Sequence, residues 1–453
     1  RALGGAMRQD PRPTHALTRR ALLGATASGV ATLVTGTARG LGRTPLGGTL
    51  RLTLPLRGSL DPHVSDDPLA ALLCPSLVDP LYALDGSGNP YPALAVDLPE
   101  KTSLGARVVL RGGLMSASGQ KLDQRDVLFS LARARERGGA AVLAELPAPA
   151  KDAGSKLGVV FPGAEPRAVA LALASPLTAL VARSFKANAP DGTGAFRGVA
   201  SADGVVFERN LNAARGAAFL GRVEVTLTGD LADALRAFES ERADVGWLGA
   251  GLHQPRAGAV AFEGPSYGTV VLRTGHDAGR WSAPGVAQEL VERVPRDALR
   301  HLGLVAPNGG SRPGAAWGGG DAELLVSSAA PALVELAKSV AATFSVQNQK
   351  VTVRALPLSD LRERRASGRY SLLLDFVRPA GPAGRATLLT LLAAVNPALA
   401  ARPPQAPSFD PTDIARTLPL GVLGTLQVTG ARMPSVHGLE GWQLGGVFLT
   451  DGK

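Results

Sequence analysis

The residues that most often carry chemistry are present in this chain, but their spacing supports no catalytic or metal constellation. Six histidines stand at positions 15, 63, 253, 276, 301 and 437, none in a His-x-x-x-His pair or at Cys/His spacing. No local pair can therefore grip zinc or a similar ion, although His253 and His276 could still meet in space. Cys74 is the only cysteine and lies in the apolar run Ala71-Leu72-Leu73-Cys74-Pro75. That excludes an internal disulfide framework and any multi-cysteine cluster, and it reads as a small buried hydrophobe. Gly249-Ala250-Gly251 and Gly318-Gly319-Gly320 lack both the dinucleotide fingerprint and the lysine of a phosphate loop. Ser327-Ser328 has no nucleophile elbow around it, and Glu239 and Glu241 fit a solvated helix end. An enzyme is not expected, and neither a cofactor nor a metal is implied.

Charge narrows the partners further. The formal net charge is +10 over 453 residues, from 40 Arg, 8 Lys and 38 acids. Residues 1–43 alone hold seven Arg against Asp10, which leaves only +4 for the rest. No basic run in the body is interleaved with aromatics, so nucleic-acid binding is not expected. The basic leader has another meaning. Thr18-Arg19-Arg20-Ala21-Leu22-Leu23, followed by a mildly apolar stretch to Val34, resembles a twin-arginine export signal. Residues 1–45 are read as that signal. It leaves the protein periplasmic or exported, or tethered if the signal stays uncleaved.

The elements that must position any site alternate strand and helix. Thr49 to Leu54 repeats with period two and reads as a strand, as do 107–111, 169–173 and 205–209. Leu69 to Tyr82 reads as a buried helix. Leu122 to Arg137 reads as a helix capped by Asp123, with Val127, Leu128 and Leu131 inward and Arg133, Arg135 and Arg137 facing water. Asp230 to Arg242 is a further helix, begun by Asp230, before Val245 to Leu248 runs inward. Later, strands at 323–328, 350–354 and 370–376 alternate with helices at 330–345 and 359–365. That order predicts a βαβαβ unit with a parallel sheet. Residues 397–411, rich in proline, read as a linker, and 418–426 as a return to the first half. A chain this long is expected to form two lobes, each with its own core.

Several motifs in this order resemble those of the extracellular solute-binding proteins, family 5, of peptide- and nickel-type ABC importers. They include Ser59-Leu60-Asp61-Pro62-His63, Pro90-Tyr91-Pro92-Ala93-Leu94-Ala95 and Val109-Leu110-Arg111-Gly112-Gly113. Ser118-Gly119-Gln120-Lys121-Leu122, Asp126-Val127-Leu128-Phe129-Ser130-Leu131 and Gly192-Thr193-Gly194-Ala195-Phe196 follow, and the motifs span about residues 47–430. The resemblance implies an α/β, bilobal type II periplasmic-binding fold with the ligand in a cleft between two α/β lobes. Lobe one would take residues 46–265, with a small subdomain inserted at about 62–185. Lobe two would take 266–410, and 411–453 would return to lobe one. It also implies a peptide or other small polar ligand, and an ABC permease in the inner membrane as partner.

The same resemblance nominates cleft residues. Asp66 and Asp67 follow the Leu-Asp-Pro-His element and would either hold a cation or form a solvated loop. Trp247 lies where the chain crosses between lobes and would line the cleft or pack in the core. Phe376 takes an aromatic position of the peptide binders. The acids expected after it are replaced by Arg378 and Pro379. Asp375 could substitute as partner for a ligand ammonium or be a strand-end turn residue. Arg378 would suit an anion better than a free amine. These departures, and a chain shorter than the family norm, leave a second reading open. In it the fold serves as a structural or interaction subunit of an envelope complex, with a degenerate cleft.

Overall fold

The computed structural model describes residues 45–247, 256–307, 314–346, 349–381, 384–404 and 408–450. The twin-arginine segment, Thr18 to Val34, lies outside them. The main sheet includes β1 (Thr49–Leu54), β2 (Phe196–Ala200), β3 (Gly204–Arg209), β4 (Arg222–Leu227) and β5 (Val245–Trp247), then β6 (Val260–Thr274), β7 (Ala322–Ser327), β8 (Val351–Leu356), β9 (Leu372–Val377) and β10 (Leu420–Arg432). The helices used below are α1 (Pro68–Leu73), α2 (Gln124–Arg135), α3 (Pro166–Ala172), α4 (Leu231–Glu239), α5 (Val286–Glu292), α6 (Pro331–Phe344), α7 (Leu358–Ser367) and α8 (Arg385–Val395).

The strands lie in the order β8-β7-β9-β6-β10-β5-β1-β4-β3-β2, with Leu304–Val305 as an eleventh strand on β10. Its two ends are built differently. At one end β7 pairs in parallel with both β8 and β9, and α6 and α7 supply the crossovers, as the alternation of the sequence requires. Toward the other end β1 pairs in parallel with β4 and β5, but β4, β3 and β2 continue the sheet antiparallel to its edge. Leu50, Leu52 and Leu54 of β1 all point inward, which is the consequence of its period-two pattern. The mixed α/β architecture expected from the alternation is present.

Two long strands join these ends. The second half of β6, Thr269 to Thr274, pairs antiparallel with β9. Its first residues lie beside the far end of β10, where Gly430 to Arg432 also pairs with β5. The β6–β10 register slips between Glu263 and Ser266, between Ser266 and Gly268, and between Val270 and Val271. Bulges of this kind let a ladder bend without losing its hydrogen bonds along the rest of its length.

One apolar cluster runs from Leu50 and Leu52 of β1 through Val270 and Leu272 of β6 to Leu324 of β7 and Leu336 of α6. Because the sheet is continuous, its inner face is too. A separate cluster, with Leu81, Val108, Val127, Leu131, Phe161 and Val169, underlies the inserted segment, where residues 100–102, 105–109, 150–151 and 158–162 form a four-stranded antiparallel sheet.

Local corrections have identifiable causes. The 169–173 strand is instead part of helix α3, started by Pro166 in its first turn. Short alternation of Ala, Val and Leu fits both periods, and Pro at a helix start tips the balance. The buried helix expected to reach Tyr82 stops at Leu73 and tightens into a 3₁₀ turn at Cys74–Ser76, where Pro75 leaves no N–H to continue the ladder. The stretch read as a linker contains a turn of 3₁₀ helix at Pro397–Ala401 and a short helix at Pro411–Ala415, and α8 before it was not foreseen. Helices α2 and α4 do start at Asp123 and Asp230, whose side chains accept from Arg125 N and Ala232 N.

Candidate functional site

A cavity of about 700 Å³ opens where segments distant in sequence converge. Residues 64–66 and 136–142 supply one side, and residues 362–366, 376–380 and 389–397 supply the other. Five arginines line it, Arg137, Arg273, Arg362, Arg365 and Arg378, against two carboxylates, Asp66 and Glu136. The lining thus carries more cations than anions, although Asp61 and Asp375 outside it pair with Arg137, Arg273 and Arg365.

Asp66 is 8 % exposed and stands in the loop between β1 and α1. Arg362 of α7 grips it with both prongs of its guanidinium, Nε at 2.9 Å and Nη2 at 2.6 Å. Arg365, one turn further along the same helix face, donates to it at 2.5 Å. Burial by itself would raise this carboxyl, but the Arg362 hydrogen bonds and the Arg365 charge hold it down at about 2. Asp66 is thus paired with the chain's own guanidiniums.

Asp375 lies behind the wall on β9, 2 % exposed. It accepts from Arg273 Nε at 2.9 Å and Nη2 at 2.8 Å, and from Arg365 Nη1 at 2.9 Å. Its other oxygen takes the Phe376 backbone N–H at 3.0 Å. Arg273 also donates to the Ala394 carbonyl at the end of α8. Arg365 thus bridges two carboxylates, and the nearby Asp375 charge is the main cause raising its already high pKa further. Phe376 lines the cavity with its ring 5.8 Å from that of Tyr267. Gly268 makes room for it: a Cβ there would lie 1.8 Å from a Phe376 ring carbon.

Arg378 differs from the other four. It is 4 % exposed, and among the described residues no carboxylate reaches ion-pair distance of it. Its Nη1 donates to the Pro62 carbonyl at 2.8 Å, and its backbone N–H donates to the Ser65 carbonyl at 2.6 Å. Burial pushes its pKa down from the ordinary arginine value. Its side chain borders the main cavity and a second one of about 520 Å³, which Cys74 and Arg215 also line. A desolvated guanidinium with spare donors is a strong site for a carboxylate or phosphate.

The remaining nominated residues lie elsewhere. Asp67, 1 % exposed, caps α1: one oxygen accepts from Leu69 N and Ala70 N at 3.0 and 3.1 Å, and the other from Ser59 N and Oγ at 2.7 and 3.0 Å. Burial raises its pKa. Neither oxygen is left for a solute. Of Trp247 only the backbone is described, opposite Gly430. Arg133, expected to face water, turns to Asp61 at 2.7 and 2.5 Å, and Arg137 reaches the same carboxylate at 3.3 Å. Arg135 donates to the carbonyls of Leu143, Leu146 and Pro147. The sequence reading missed Arg362 and Arg365. Their one local signal was their three-residue spacing on a helix whose buried residue is Leu361.

Among the described residues no cluster of three or more His, Cys, Asp or Glu could hold a metal ion, and no helix is long and apolar enough to cross a membrane. No protein-family model and no curated protein matches the chain. Solved structures do. A dipeptide-binding protein from Pseudoalteromonas sp. SM9913, in complex with Met-Leu, is 14% identical with a TM-score of 0.68, covering 89% of this chain and 100% of its own. The oligopeptide-binding protein AppA from Bacillus subtilis, in complex with a nonapeptide, is 12% identical with a TM-score of 0.67 over 90% and 100%. The periplasmic binding protein AgaA from A. tumefaciens R10, in complex with agropinic acid, is 15% identical with a TM-score of 0.66 over 90% and 99%. At such identities the likeness is one of fold, and the chain has the bilobal α/β fold of the periplasmic binding proteins.

Proposed function

We propose that this chain is an exported solute-binding protein that captures a small polar solute in the cleft and presents it to an ABC permease. The solute is an acidic peptide or another small molecule bearing a carboxylate or phosphate. The observation that carries this reading is Arg378, a buried guanidinium with no carboxylate partner among the described residues, bordering a cavity with an arginine-rich wall. Leaving such a charge buried and unpaired is costly, and an anionic solute would offset the cost. A peptide ammonium has no equivalent buried partner in the lining, because Asp66 and Asp375 are each matched by two arginines and Glu136 is exposed. Native mass spectrometry of the protein purified from its own host tests the proposal. A retained small acid supports it; a retained cation, or no solute from any preparation, counts against it.

One observation favours the second reading, that of an interaction subunit of an envelope complex. Four of the five cavity arginines are matched by the chain's own carboxylates. A cleft that neutralises itself has less need of a ligand. In that case the same spectra would show a stably bound protein partner in place of a small molecule.

A further inference from the structure

The second cavity beside Cys74 shares Arg378 with the main one. The groove near Arg354 and Lys350 balances its cations with Asp277, Asp321 and Glu323. The exposed apolar side chains Val96, Leu98 and Leu104 have nothing nearby to say what would cover them.

The ion pairs of Asp66 go further, because of where their members stand. Asp66 belongs to the loop after β1, at one end of the sheet, whereas Arg362 and Arg365 belong to α7, which joins β8 to β9 at the other. Asp66 and Arg362 are 296 positions apart in sequence, and of the two long strands that join the ends only β6 lies between them. We infer that Asp66 is a built-in latch: its carboxylate, gripped by Arg362 and Arg365, draws the two lobes together across the cleft without any solute. The inference rests on the binding reading above, since it concerns closure of the same cleft.

The geometry is that of a strong contact. A two-pronged guanidinium–carboxylate pair fixes direction as well as distance, and a second guanidinium on the same carboxylate adds to it. Asp66 is nearly excluded from water, so screening by salt is weak there. Arg365 is itself tied to Asp375 at 2.9 Å, so the latch plate is braced against β9. Neighbouring contacts follow the same line: Arg378 beyond β9 binds the Pro62 and Ser65 carbonyls of the Asp66 loop. A cleft held shut in this way is the resting state of the molecule, and solute entry has to await its opening.

The test is a distance measurement on the full chain with no solute added. Spin labels at Arg167→Cys on α3 and Lys338→Cys on α6, both exposed positions, would report lobe separation. Cys74 is buried and stays in place. Wild-type background should give one narrow, short distance distribution. Asp66→Asn should broaden it and move it several ångströms longer. Should Asp66→Asn fold poorly, Arg362→Gln alters only a partly exposed helix side chain and should give the same lengthening. Superimposable distributions for wild type and both variants would overturn the latch, as would a long, broad distribution in wild type. Because no solute is present, the outcome is independent of whether the solute itself has been assigned correctly.

Discussion

Arg133 donates to Nδ1 of His63 at 2.9 Å, 70 positions away, while the same imidazole donates from Nε2 to the Ala179 carbonyl at 2.9 Å. Arginine cannot accept, so the ring must be the neutral tautomer with its proton on Nε2. Burial is the main cause holding the His63 pKa down at about 4, against the raising effect of the Ala179 carbonyl, and the Arg133 charge lowers it further.

This makes folding stability sensitive to mild acid. The unfolded chain takes up a proton at His63 near pH 6.5, whereas the folded chain does so only near 4. Between those values the unfolded state binds more protons, so stability falls as pH drops through the window. The stabilisation is complete above 6.5, and the loss reaches about 3 kcal/mol by pH 4. Urea denaturation at pH 7 and at pH 4.5 should show it, and His63→Gln, which can still donate at one end and accept at the other, should flatten the profile.

Asp67 is a cap and should behave as one. Asp67→Ala removes the acceptor for two N–H groups of α1 and for both donors of Ser59. A loss of about 1–3 kcal/mol is expected in chemical denaturation. Solute affinity per folded molecule should be unchanged, and a selective loss of binding at constant stability would refute the structural role.

The Gly268–Phe376 contact predicts a rescue. Gly268→Ala places a methyl group within 1.8 Å of the Phe376 ring and should destabilise by about 1–3 kcal/mol through overpacking. Shortening the aromatic with Phe376→Leu in the same chain should restore part of that loss, measured as a double-mutant cycle. Strict additivity would show that the two positions do not meet.

Much of the framework could be read from local pattern. The inward leucines of β1, the alternation from β7 to β9, and the caps Asp123 and Asp230 are each set by neighbours a few positions away. The errors arose where distant groups decide. Arg133 looks solvent-facing on its helix wheel, but Asp61 lies 72 positions back and draws it in. For Asp66 the local pattern left a cation site and a solvated loop both open; its pairing with arginines of α7 depends on tertiary packing no local window contains. Arg378 was legible because it replaces an acid after Phe376; that it has no carboxylate partner among the described residues only emerged once the chain was folded.

The central claim is that the cleft takes an anion through Arg378. Thermal unfolding of wild type and Arg378→Met, across acidic, neutral and cationic small solutes, tests it most directly. Without solute the two should melt alike, within about 1 kcal/mol, because the variant gives up one carbonyl contact but no longer buries an unpaired charge. With saturating solute, wild type should gain several degrees from at least one acidic compound, and Arg378→Met should gain none. A shift produced only by cationic or neutral solutes, or an acidic shift that survives in Arg378→Met, would contradict the account.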